Sequence, residues 1–72
     1  MTTMVTMKEM KKMIVKEFKN TYGFAPTQKS IRPLETSGAG ELIDWMGFDI
    51  NGIGYSYGVY GTVERNDAYD MI

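Results

Sequence analysis

FDINGIGYSYGVYG, residues 48–61, is the stretch on which the fold turns. Asn51-Gly52 stands between apolar residues and is the strongest short-range signal for a two-residue β-hairpin, because both turn positions need a positive φ that Asn and Gly accept. A two-residue turn sets the register. Ile50 faces Ile53, Phe48 faces Tyr55, Met46 faces Tyr57 and Asp44 faces Val59. Since alternate strand residues share a face, Met46, Phe48, Ile50, Ile53, Tyr55, Tyr57 and Val59 form one apolar wall. The opposite face pairs Gly47 with Ser56, Asp49 with Gly54, Trp45 with Gly58 and Ile43 with Tyr60.

That second face is nearly bare main chain. Glycine in a strand leaves nothing to pack and often marks a place where another backbone, ring or ligand comes close. Trp45 is expected to lie over Gly58, a ring covering a strand glycine. Ile43, Trp45 and Tyr60 then remain as an apolar cluster bordered by small residues, the form expected of a protein interface. The predicted interface is Ile43, Trp45, Gly54, Ser56, Gly58 and Tyr60. The competing expectation is that the first strand or the C-terminal tail folds across this face.

The wall needs a cover, and TMKEMKKMIVKEFKNTYGF (residues 6–24) supplies it. Thr6 and Glu9 have capping-box spacing, which starts a helix near Met7. Met7, Met10, Ile14 and Phe18, with Met13 alongside, form one stripe at three- and four-residue steps, while Lys8, Lys12, Lys16 and Lys19 point away. Flexible thioethers also suit promiscuous grooves and soft metals, but their place beside Ile14 and Phe18 makes these methionines core. Gly23 closes the helix at about Tyr22, Phe24 folds back towards Phe18, and Pro26 prevents resumption. Met1 and Met4 precede the cap and are expected to be loose.

QKSIRPLET (residues 28–36) has strand composition, but Pro33 lacks a ladder donor, so the segment belongs on an edge or carries a bulge. SGAG (residues 37–40) reads as a loop. At the other end the hairpin strand is expected to continue to about Arg65, with a bulge at Gly61. Asp67, Tyr69, Asp70, Met71 and Ile72 read as a short amphipathic tail that docks an edge or remains a free arm. The fold class is α+β: one N-terminal helix on a three-stranded antiparallel β-meander, a single domain over residues 1–72 with 1–5 and 67–72 flexible.

A chain of 72 residues buries only about 60% of the surface its unfolded form exposes, so stability is marginal. The absence of Cys and His excludes disulfides and thiolate or imidazole metal sites, which leaves self-association, a homodimer, as the expected reinforcement. Cysteine usage and the lack of an apolar span or signal-peptide pattern fit a cytoplasmic protein with no membrane partner.

The net charge of −1 hides a division along the chain. Residues 8–32 hold seven basic side chains against two acids, a net of +5, whereas residues 35–70 hold seven acids against Arg65, a net of −6. A basic helix face at Lys8, Lys12, Lys16 and Lys19 can contact phosphates, although the same pattern arises from a solvated helix lying across from an acidic sheet.

Catalytic patterns fail. Triads through His or Cys are impossible, and Ser30, Ser37 and Ser56 have no evident base. DINGIG begins like a calcium loop, but Ile53 and Tyr60 occupy places that need oxygen ligands. The glycines do not have dinucleotide-binding spacing and follow a hairpin instead of opening a helix. No cofactor is expected, and the chain reads as a binding protein, not an enzyme.

MKEMKKMIVKEFKNTYGFAP followed by FDINGIGYSYGVYGTVE resembles the short orphan proteins of bacteriophages and mobile elements: a Lys-rich helix, a Tyr-Gly stop and a Tyr-rich hairpin. The resemblance implies a stoichiometric inhibitor of host machinery, as anti-CRISPR and other anti-defence proteins are, acting by occlusion. The alternative is a nucleic-acid-binding accessory protein using the lysine face. For the latter, the sheet rings Trp45 and Tyr60 and the helix lysines are expected on different faces, which separates stacking from phosphate contact.

Overall fold

A computed structural model describes residues 3–71. The chain runs through α1 (Met7–Tyr22), a 3-10 turn (Gln28–Ser30), β1 (Ile31–Ala39), β2 (Leu42–Ile50), β3 (Ile53–Gly58), β4 (Glu64–Arg65) and a second 3-10 turn (Asp67–Tyr69). The strands form an antiparallel meander in the order β1-β2-β3-β4. The α+β class with an N-terminal helix on an antiparallel meander is as the sequence predicts, with a short fourth strand added.

α1 begins and ends where its signals lie. Thr6 accepts from the Glu9 N–H, the Glu9 carboxylate accepts from the Thr6 N–H, and Gly23 closes the helix at φ 85° with its N–H donating to the Lys19 carbonyl. The Phe24 ring meets Phe18 edge-on at 5.2 Å. Met10, Ile14 and Phe18 are buried against Met46, Phe48, Ile50 and Tyr57 of the sheet, with Met7 and Met13 packed at the margin. The methionines are therefore core, and truncating a ring as enclosed as Phe18 is worth about 3–5 kcal/mol.

The hairpin register is the expected one from Ile50–Ile53 through Trp45–Gly58. Asn51 and Gly52 both take positive φ, at 53° and 89°, and the Asp49 carboxylate accepts from the Gly52 N–H at 3.0 Å. β1 is an edge strand and also bulged: Leu34 is the extra residue between the pairs Pro33–Phe48 and Glu35–Gly47.

Three expectations about the strands are corrected. SGAG is not a loop, because Ser37, Gly38 and Ala39 continue β1 and only Gly40 and Glu41 turn. A β-carbon on Gly38 would stand 2.6 Å from Ile43 Cα, so this glycine serves a close strand approach. Nor does β3 continue to Arg65. It stops at Gly58, a tight turn follows with the Gly61 N–H donating to the Gly58 carbonyl, and β4 returns beside Tyr55 and Ser56.

The third concerns Ile43, which does not face Tyr60. Asp44 is an extra residue between the pairs Ser37–Trp45 and Gly38–Ile43, and this second bulge breaks the alternation. Ile43 is buried in the helix-side core and pairs with Val5, which exchanges two hydrogen bonds of 2.8 Å with it. The N-terminal segment thus takes the ladder position that β3 vacates. Met4, expected to be loose, is half-buried, while Met1, Thr2 and Ile72 lie outside the described residues.

Candidate functional site

The outer sheet face, predicted as the interface, divides into a covered half and an open end. β4 and the second 3-10 turn carry the chain from the edge of β3 back over the glycines. Tyr69 lies flat where Gly47 has no side chain: a β-carbon there would be 2.4 Å from Tyr69 Cζ. At Gly54 it would strike main chain, 2.3 Å from the Asn66 carbonyl oxygen and 2.6 Å from the Tyr69 carbonyl carbon. Only glycine leaves room for this crossing.

Polar contacts fasten the strap along its length. The Gly54 N–H donates to Asp70 Oδ1 at 2.7 Å, and the Asn66 N–H donates to the Gly54 carbonyl at 3.0 Å. Arg65 donates to Asp70 Oδ2 at 2.8 Å and to the Gly54 carbonyl at 3.1 Å, while the Met71 N–H reaches the Gly52 carbonyl at 2.8 Å. The Tyr69 hydroxyl donates to Glu35 on β1, tying the strap across three strands. The paired guanidinium and the Gly54 amide hold the Asp70 carboxyl below the ordinary carboxylate range, and the hydrogen bond to Glu35 pushes the Tyr69 phenol up.

The predicted interface residues are therefore not brought together. Ile43 is in the core, and Gly54 is buried under the strap. The expectation of an uncovered face fails there and the competing one, a C-terminal tail across it, holds: Asp67 to Met71 pack on the face instead of remaining a free arm. Trp45, Ser56 and Gly58 stay partly accessible, and Tyr60 is exposed. Trp45 covers Gly58 as expected, since a β-carbon on Gly58 would meet its Cδ1 at 3.4 Å; its ring centroid is 6.1 Å from that of Tyr69. The Tyr60 hydroxyl accepts from the Thr3 N–H. Leu42, which sequence reasoning missed, joins the open end at 44% exposure. The Asp44 bulge places Leu42 on the Trp45 face, and the alternation of the sequence alone does not show it.

A second surface runs along α1. Lys8, Lys12, Lys16 and Lys19 are all exposed, as predicted. Beside Lys19 the residues Tyr22 and Phe24 remain 40% and 59% exposed, their rings set around buried Phe18, with the Tyr55 ring 5.8 Å from that of Tyr22. This ring cluster was read from the sequence only as a helix stop.

Among the described residues no pocket opens and no group of three potential metal ligands gathers. No helix among them is long and apolar enough to cross a membrane. No family model matches the chain, and no match to it is found among curated proteins or solved structures.

Proposed function

We propose that the chain is a small non-enzymatic binding module that acts by occupying a surface of another protein. The observation that carries this reading is the exposure of Leu42, at the start of β2, and of Tyr60, in the turn after β3, at the end of the sheet where the half-buried Trp45 pairs with Gly58. Large apolar and aromatic side chains on a flat patch supply most of the energy of protein association. The strap closes the neighbouring glycines, so the contact is smaller than the whole face and centres on Leu42, Trp45, Gly58 and Tyr60. Stoichiometric inhibition of the partner, of the anti-defence kind that the sequence resembles, is the functional form proposed for it. A homodimer through the same patch would compete with that partner.

The experiment compares immobilised wild-type chain with Leu42→Asp in lysate of the cells that produce it. Wild type is expected to retain one protein in near-stoichiometric amount, and Leu42→Asp to lose it while keeping its circular dichroism. Equal retention by both chains would contradict the reading.

A further inference from the structure

The four exposed lysines of α1 and the rings that end it form a single surface. At about 100° per residue, Lys8, Lys12, Lys16 and Lys19 fall within an arc of about 80° on the side away from the core. Among the described residues none of the four makes an ion pair; the two ion pairs belong to Arg32 and Arg65. Glu9, the nearest acid along this face, has its carboxylate engaged by the Thr6 cap. Glu9 still offsets part of the Lys12 charge, but the stripe as a whole carries an excess of positive charge with no ion pair among the described residues.

Its C-terminal end runs into aromatic rings. Tyr22 follows Lys19 by three residues and so neighbours it on the helix surface. Phe24 turns back through the left-handed Gly23 to pack its edge on Phe18, which keeps the ring in place and leaves 59% of the residue exposed. Phe18 lies 4.6 Å from Tyr22 and 4.9 Å from Tyr55, so the exposed rings are set in a fixed cluster. Packing on Phe18 fixes where both rings sit, and it leaves each of them open to solvent beside a row of cations that make no ion pair.

We infer that this surface binds single-stranded nucleic acid, with Lys8, Lys12, Lys16 and Lys19 on successive phosphates and Tyr22 and Phe24 stacking unpaired bases. Rings on a backbone-tracking basic track are what single-strand binding requires, and a base can stack on a ring without sequence preference. An acidic protein would satisfy the lysines, but a single strand supplies both a regular line of phosphates for the lysine row and unpaired bases for the rings that end it. A duplex would offer phosphates but keep its bases stacked inside. The sheet rings Trp45 and Tyr60 take no part, which removes the objection that rings and lysines lie apart. This surface is separate from the Leu42–Trp45 end, so each can fail alone.

The test is fluorescence anisotropy of a labelled 15-nucleotide oligothymidine titrated with the full-length chain over a salt series. Four phosphate contacts predict that log affinity falls against log salt with a slope near −3, from about −0.7 per contact on a single strand. Lys12→Glu with Lys16→Glu is expected to weaken binding at least tenfold and to flatten the slope. Phe24→Leu keeps an apolar group on Phe18 but removes the flat ring; it is expected to weaken binding several-fold with the slope unchanged and with thermal unfolding near wild type. No binding at about 50 mM salt overturns the proposal. So does undiminished binding by Phe24→Leu, or equal competition by heparin, a duplex or an acidic protein, since each outcome leaves only polyanion attraction.

Discussion

The Tyr69 ring stands where Gly47 has no side chain, so close that a β-carbon on Gly47 would be 2.4 Å from Tyr69 Cζ. Residues 22 positions apart in the chain thus close the glycine half of the hairpin face that α1 does not cover. The sheet is sandwiched between a helix on one side and a strap of the chain's own C-terminal segment on the other.

Substitutions at three strand glycines should separate by what they meet. Gly54→Ala collides with main chain of the strap and is expected to lower unfolding free energy by about 1–3 kcal/mol, the range for overpacking. Gly47→Ala meets only the far end of a side chain, so Tyr69 can swing away and the loss should be smaller. Gly58→Ala finds ordinary contact with Trp45 at 3.4 Å and should be neutral, or stabilising by up to about 1 kcal/mol. Urea unfolding of the three variants checks this order.

The strap should loosen at both extremes of pH. Asp70 is held below its ordinary range by the Arg65 hydrogen bond first and the Gly54 amide second. Its contribution is present above the unfolded value of about 4 and is lost as pH falls through the lower folded value. Tyr69 is shifted the other way by its bond to Glu35. Its contribution is full below about 10 and is lost as pH rises through the raised folded value. Trp45 emission, which senses the Tyr69 ring beside it, should change in both windows. Asp70→Asn should remove part of the acid change, and Tyr69→Phe the alkaline one. An unaltered acid limb in Asp70→Asn would show that the carboxylate does not hold the strap.

Asp49 is a buried carboxylate at 3% exposure, accepting from the Gly52 N–H and from Arg32 Nε at 2.6 Å. Asp49→Ala removes the acceptor of the turn amide and should lower stability by about 1–3 kcal/mol. Asp49→Asn keeps an oxygen for that amide and should lose less. Arg32→Ala should fall below both, because its side chain is 57% exposed and the pair is partly screened by solvent. Thermal unfolding of the three variants tests the ranking.

At the helix start, Thr6→Ala removes the hydroxyl that accepts from Glu9 and should lower stability by about 1 kcal/mol. A small loss of ellipticity at 222 nm, from fraying of the first turn, would accompany it.

Local chemistry made much of this architecture legible. Asn51-Gly52 accepts the positive φ that a two-residue hairpin turn needs at both places, so the hairpin register followed from it. Thr6, Glu9, Gly23 and Pro26 marked the helix, and Pro33 implied the edge strand and its bulge. The Asp44 bulge was hidden because one inserted residue inverts every face upstream and no proline or glycine sits at that position. That inversion moved Ile43 into the core and brought Leu42 to the open end. The strap stood as the competing expectation, a tail across the outer face, but its contacts were hidden for another reason: Tyr69 on Gly47, or Asp70 on Gly54, pairs residues far apart in sequence. The bare glycines did signal a close neighbour. Nothing local said whether it was a partner or the chain itself. Lys19, Tyr22 and Phe24 were each readable as surface or stop, and their joint exposure emerged only with Phe18 packed beneath them.

Which surface is free to act depends on the strap, and a nuclear Overhauser spectrum of the full-length chain tests it most directly. Cross-peaks from the Tyr69 ring protons to Gly47 Hα, with that Hα shifted upfield by the ring current, are the predicted result. Random-coil shifts for Tyr69 and Asp70, with no contact to Gly47 or Gly54, would contradict it and return the whole outer face to a partner.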